Sequence, residues 1–214
     1  MKKIALVLFA GLLVFRAGAQ SEKYTKAMEA LVPAVDTTHS IEGLADLANS
    51  FERIANAEKT QWLPYYYAAL CNVNQANMYY TIQQTDKIDP LMDKAEPLMK
   101  KAAELGKDNS EISCLKKMLN TGKMMADPMN RYMTYGPAAA AALEEAKKMN
   151  PENPRVYLLE GIDKYYTPEQ FGGSKEEAKK LFELALAKFK TYKPASSIDP
   201  SWGIHQVEYF LTQQ

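Results

Sequence analysis

The chain contains 214 residues, of which 47% are hydrophobic and 10% aromatic, with 26 basic and 26 acidic residues. This composition excludes a disordered chain, a collagen-like chain and a protein with many membrane spans. The balanced charge argues against a nucleic-acid partner, which would require a basic surface. The two cysteines and two histidines have no zinc-ligand spacing, so we expect no metal site.

The N-terminal twenty residues have the three regions of a secretory signal peptide. Two lysines precede an apolar run over residues 4–15, and three small residues follow at 17–19. We predict cleavage after Ala19, which removes three basic residues and leaves a net charge of −3. The apolar run is too short for a stable membrane anchor, although a tethered helix is the alternative. Residues 20–214 then form a single exported, periplasmic domain.

Export would place Cys71 and Cys114 in an oxidising compartment, where an even number of cysteines permits one disulfide. Both residues lie in segments with helical apolar periodicity, where a free cysteine behaves as a small buried hydrophobe. We therefore favour two free core thiols over a bridge.

Strand signals are nearly absent from the remaining chain, whereas helix-start signals are frequent. An Asp or Asn precedes a proline at residues 89, 127, 153 and 199. Capping-box spacing occurs at Asp108 with Glu111 and at Ser174 with Glu177. We predict helices over 21–35, 40–57, 61–84, 90–105, 109–126, 129–149, 153–166, 174–192 and 201–213. The predicted fold class is all-α.

One spacing recurs in these helices: a small residue, a large apolar residue four positions later, and a small residue three positions after that. It is formed by Ala95, Met99 and Ala102, by Ala139, Leu143 and Ala146, by Ala178, Phe182 and Ala185, and in degenerate form by Leu47, Phe51 and Ile54. Small residues let a neighbouring helix approach closely, and the large residue fills the groove between them. Pro151 follows Ala146 by five residues, and Gly161 is a candidate small residue in the preceding helix of the last pair.

These residues resemble the tetratricopeptide repeat (TPR) family, whose second helix carries this triad and a proline about five residues later. Residues 51–69 and 168–203 also resemble exported repeat proteins of Gram-negative bacteria. The resemblance implies a TPR-like right-handed solenoid of about four helical hairpins with a C-terminal capping helix. It implies no chemistry.

Catalytic motifs are absent, since the sequence contains no nucleophile elbow, no phosphate-binding P-loop and no zinc-protease motif. We therefore expect neither enzyme activity nor a cofactor. The leading interpretation is a non-catalytic interaction module that binds a protein or peptide in its concave groove. The alternative is a small-ligand-binding helical-repeat protein, such as a soluble component associated with a transporter.

The segment 60–85 contains no charged residue, although 24% of the whole chain is charged. On a helix, its amides and phenols form one stripe, which is the candidate binding site. The stripe consists of Tyr65, Asn72, Gln75, Tyr79 and Gln83. If it lines the groove, it should be exposed and suit a peptide backbone or a small neutral ligand. Alternatively, the helix is sandwiched between neighbours and its polar groups satisfy one another.

A methionine-rich stretch contains Met118, Met124, Met125, Met129 and Met133. Thioether side chains can fill a core, offer an adaptable surface to a partner, or bind copper(I). We expect these residues to fill the core at a hairpin corner.

Overall fold

The computed structural model describes residues 22–107 and 109–213, and the predicted signal peptide lies outside these ranges. The helices are α1 (22–29), α2 (Ala34–Thr37), α3 (Ile41–Glu58), α4 (Trp62–Thr81), α5 (Ile88–Gly106), α6 (Ser110–Ala126), α7 (Pro128–Met149), α8 (Pro154–Tyr166), α9 (Lys175–Thr191) and α10 (Ile204–Thr212). Short 3₁₀ turns occur at Thr85–Lys87 and Glu169–Phe171. Neither described range contains a strand, which confirms the predicted all-α class. Within them, no helix combines the length and apolarity needed to cross a membrane.

Polar caps fix the first residue of several helices. The side chains of Asp127, Asn153 and Ser174 accept hydrogen bonds from backbone N–H groups in the first turns of α7, α8 and α9. Because these N–H groups have no partner within the helix, a side-chain acceptor stabilises the start. All three predicted caps are confirmed.

One predicted cap is wrong. Helix α5 begins at Ile88, so Asp89 lies within its first turn and its carboxylate binds Arg131. The predicted cap Asp108 lies outside the described ranges. Asn109 caps α6 by accepting hydrogen bonds from two backbone N–H groups, and the Glu111 carboxylate binds Arg155.

The predicted start of the last helix, at residue 201, is also displaced. Helix α10 begins at Ile204, and residues 192–203 form an irregular segment that we call the tail. Within the tail, Ile198 and Trp202 are buried, so packing rather than helix formation determines its path.

Consecutive helices pair as hairpins, with α4 on α5, α6 on α7, and α8 on α9. Contacts between alternate helices show that they run in the same direction. Tyr66 and Arg155 both bond Glu111, which brings the starts of α4, α6 and α8 together, and Lys117 meets Asp163 further along. Helices α4, α6 and α8 therefore begin at one end of the molecule, where α5, α7 and α9 stop.

The small–large–small triads lie where the helices pack. Phe182 is fully buried and stacks on Phe210, with ring centroids 4.7 Å apart. A Cβ on Gly161 would lie only 2.6 Å from Cε1 of Phe182. The missing side chain at Gly161 is what lets α8 approach the last triad.

Cys71 and Cys114 are both buried and unbridged, which confirms the expectation of two free core thiols. Burial raises the pKa of the Cys71 thiol to about 12. The thiol is therefore protonated at neutral pH and unreactive as a nucleophile.

We expect Gly161→Ala to lower the free energy of unfolding by about 1–3 kcal/mol, because the added methyl group must displace the packed Phe182 ring. Gly136→Ala is the matched control, since a Cβ there would meet Tyr132 at an ordinary 3.5 Å. Alanine should stabilise α7 at that position by roughly 1 kcal/mol. Urea denaturation measures both changes, and equal stability of the two variants would contradict the packing role of Gly161.

Candidate ligand-binding surface

A buried ionic network lies where α4, α6 and α8 begin, and we call this region the network end. Arg155 is 0% exposed and donates two hydrogen bonds to the Glu111 carboxylate, with Nε–Oε2 at 2.7 Å and Nη2–Oε1 at 2.5 Å. Asn153 Nδ2 donates to the same carboxylate at 2.8 Å and to Ser110 Oγ at 2.9 Å. These bonds satisfy charges that would be costly to bury alone.

Aromatic residues extend the network to the tail. The indole N–H of Trp202 donates to the Tyr66 hydroxyl at 2.8 Å, and the Arg155 guanidinium lies 4.7 Å from the centroid of the Tyr192 ring. Burial alone would lower the pKa of Arg155, but attraction and hydrogen bonding by Glu111 outweigh it and raise the pKa. Arg155 therefore stays charged and holds the tail against α6 and α8.

The tail also covers part of α4. The Tyr67 hydroxyl donates to the Ile198 carbonyl at 2.9 Å, and Ser197 Oγ donates to the Glu29 carboxylate at 2.6 Å. The start of α4 is thus enclosed by the chain's own residues.

A depression of about 490 Å³ opens at the network end, a size suited to a small ligand. Its walls include Trp62, Met149 and Tyr192, and its charged lining residues are Glu111 and Asp199. Arg155 neutralises Glu111, so Asp199 supplies the negative charge of the lining, and this charge disfavours an anionic ligand.

Most of the exposed large apolar side chains in the described ranges lie at the opposite end of the molecule, which we call the apolar end. They are Tyr80, Ile82, Met129, Tyr132, Met133, Tyr166, Phe171 and Tyr209, whereas Met149 and Leu184 lie elsewhere. Apolar side chains exposed singly are common, but their concentration at one end is typical of a binding surface.

The corner between α6 and α7 forms one part of the apolar end. Met129 and Met133 are 94% and 81% exposed, Met124 and Met125 are half-buried, and Met118 is buried. The expectation of core filling is correct for Met118 and wrong for Met129 and Met133. These two lie on the side of α7 that faces solvent.

A second part of the apolar end, which we call the tyrosine cluster, consists of Tyr166 and Tyr209, and exposed Phe171 follows on the 3₁₀ turn Glu169–Phe171. The ring centroid of Tyr166 lies 5.0 Å from that of Tyr165 and 6.0 Å from that of buried Phe210. Burial and the neighbouring phenols of Tyr165 and Tyr209 raise the pKa of Tyr166. Its ring is thus exposed, supported by the core and uncharged at neutral pH.

A shallow depression of about 310 Å³ adjoins the tyrosine cluster. Lys164 and Lys175 line it together with one acid, Glu169. The Lys175 ammonium lies 3.0 Å from the centroid of the Tyr165 ring, so a cation is held directly against an aromatic wall. This depression combines aromatic rings with the charge of Lys175, whereas Lys164 is paired with Glu177 at 2.6 Å.

The predicted stripe on α4 does not form an open surface. Asn72 and Gln75 are 3% and 5% exposed, and their amide nitrogens donate to carbonyls one turn earlier, at 2.8 and 3.3 Å. These two residues therefore follow the alternative expectation of a helix sandwiched between neighbours, because α4 packs against α3, α5 and α6. Burial on several sides also accounts for the missing charges.

The other residues of the stripe differ from one another. The Tyr65 hydroxyl donates to the Ala55 carbonyl on α3 at 3.1 Å, and Tyr79 is half-buried against the core. Gln83 is exposed but lies beyond the end of α4, with φ of 60°. A role of the stripe in binding stays a prediction.

Arg155 and the tyrosine cluster were not predicted from the sequence. The sequence does contain a signal for the burial of Arg155. It is a lone charged residue followed by four apolar residues, a pattern that indicates a buried ion that needs a partner. The doublet Tyr165–Tyr166 is a second sequence signal. Adjacent helical residues point about 100° apart, so one ring can be buried while the other is exposed.

No protein-family model and no curated protein matches the chain. Among solved structures, the HusA haemophore from Porphyromonas gingivalis is 34% identical in sequence, with a TM-score of 0.76. The match covers 89% of this chain and 92% of that chain. The chain belongs to the family of this haemophore.

We expect Glu111→Gln to destabilise the protein by about 3–5 kcal/mol, because Arg155 would keep a buried charge without a counter-ion. Glu22→Gln is the control, since it removes an exposed ion pair with Lys26 and should change stability little. Urea denaturation at neutral pH compares the two variants. Similar small losses for both would show that the buried pair does not hold the network end together.

Proposed function

We propose that the chain is an exported, non-enzymatic carrier that binds haem at the apolar end. The signal-peptide pattern of residues 1–19 and the family relationship to a haemophore support this proposal. The relationship favours the second of the two functions expected from the sequence, a small-ligand-binding helical protein, over a module that binds peptides in a groove.

The chemistry of the tyrosine cluster suits haem. The ligand is a flat apolar ring with two propionate groups at one edge. Exposed aromatic rings at Tyr166 and Tyr209 can pack on the ring, and Lys175 can pair with a propionate, whereas Lys164 is already ion-paired with Glu177. Tyrosine is also an established axial ligand of haem iron, and Tyr166 or Tyr209 would fill this position as a phenolate, after iron displaces the phenolic proton.

The larger depression at the network end suits haem less well, although its volume is greater. Asp199 lines it, and its carboxylate would repel the propionates. Glu111 is also committed to Arg155, so rearranging this wall would break the buried ion pair.

We further propose that the hairpins form a TPR-like right-handed solenoid that α10 closes at the C-terminal side. The helix pairing and the buried triads support this arrangement. The tail bonds to Tyr66 and Tyr67, so that face of α4 is already occupied by the chain itself. A groove that binds an external peptide there has correspondingly little support.

Haem titration followed by the Soret absorbance tests the site. We expect Tyr166→Ala combined with Tyr209→Ala to weaken haem binding at least about tenfold, or 1.4 kcal/mol. Leu184→Ala removes an exposed apolar side chain on α9 outside the cluster and should leave the affinity unchanged.

The lysines are tested in the same assay. Lys175→Glu should weaken haem binding by reversing a charge beside the propionates, whereas Lys190→Glu, near the other end of α9, should not. With haem dimethyl ester, whose propionates are uncharged, Lys175→Glu should lose its effect. Unchanged haem affinity in the tyrosine and lysine variants would place the site elsewhere.

A further inference from the structure

The two most exposed large apolar side chains in the described ranges belong to one pair on α7. Met129 and Met133 are four residues apart, so their side chains leave the same face of the helix with Cβ atoms about 5–6 Å apart. At 94% and 81% exposure, neither thioether contributes appreciably to the core. Their presence at the surface therefore calls for a role other than packing.

A third thioether from α6 reaches the same corner. The Met124 sulfur lies 3.8 Å from the position that a Cβ would occupy on Gly136. The Met124 side chain therefore lies against the surface of α7 at Gly136. Gly136 is three residues from Met133 and seven from Met129, so it shares their side of the helix and lies one turn from Met133 and two turns from Met129.

The basic residues around this corner are neutralised by acidic partners. Arg131 uses both Nη atoms to bind the Asp89 carboxylate, and Lys123 Nζ lies 2.6 Å from a Glu96 oxygen. Asp127, at the start of α7, adds a further negative charge. The local charge therefore does not oppose the approach of a cation.

We propose that Met124, Met129 and Met133 form a binding site for copper(I). Thioethers are soft ligands that select soft monovalent metal ions over hard cations such as Ca²⁺ or Mg²⁺. Flexible side chains on one helix face, with a third from the neighbouring helix, can supply three sulfur ligands to a single ion. The site is separate from the tyrosine cluster, and its occupancy does not depend on the proposed haem site.

The test titrates the mature chain with silver(I), a redox-inert analogue of copper(I), and then with copper(I) under anaerobic conditions. Methionines labelled with ¹³C in the methyl group report which sulfurs bind. We expect one ion per chain and shifts of the Met124, Met129 and Met133 methyl signals.

Leucine substitutions separate thioether chemistry from apolar surface, because leucine has nearly the same volume but no sulfur. Met129→Leu combined with Met133→Leu should lower the silver(I) affinity at least about tenfold, or 1.4 kcal/mol. Met149→Leu is the matched control, since it changes an exposed methionine at the other end of the same helix. Because Met129 and Met133 are exposed, the unfolding curve of the double variant should match that of the original chain.

Loss of silver(I) binding in the double variant supports the site, whether or not haem binding changes. Three results would overturn it: no silver(I) binding to the original chain, equal affinity in the double variant, or methyl shifts confined to other methionines. A double variant that binds silver(I) normally but loses haem would assign the corner to the haem surface instead.

Discussion

The ion pair between Glu111 and Arg155 is the constraint on which the arrangement of helices depends. Neither charge could be buried without the other, so α6 and α8 must meet at a fixed register. Tyr66 and Trp202 bond around the same pair and bring in α4 and the tail. One end of the molecule is consequently closed by a satisfied polar network, in which a change at any member leaves a buried group unpaired.

At the apolar end, the packing of the helices does not depend on such a buried ion pair, and the exposed surface is apolar. Side chains such as Met129 and Tyr166 are exposed without contributing much to the core. Apolar surface that does not stabilise the fold and is not scattered points to a ligand. The charges differ as well, because Lys175 lines the depression at the apolar end and Asp199 lines the one at the network end.

Much of the fold follows from local sequence signals. Apolar periodicity located the long helices, and Asp127, Asn153 and Ser174 marked starts because a cap needs only backbone within three residues. The failures involve distant partners: Asp89 pairs with Arg131, 42 residues away, which a local pattern cannot reveal. The binding surface was harder to predict from the sequence than the helix starts. Helical periodicity places amides and methionines on a face, but only the packing of neighbouring helices decides whether that face is covered.

NMR spectra of the haem-bound protein would show whether haem binds at the apolar end. The chain has two tryptophans, Trp62 in the acidic depression and Trp202 in the buried network, and their indole N–H signals are separable by NMR. Haem iron broadens the signals of nearby nuclei. If haem binds at the apolar end, amide signals around Tyr166 and Lys175 should broaden while both indole signals remain sharp. Broadening of the Trp62 indole, with sharp signals around Tyr166, would contradict this account.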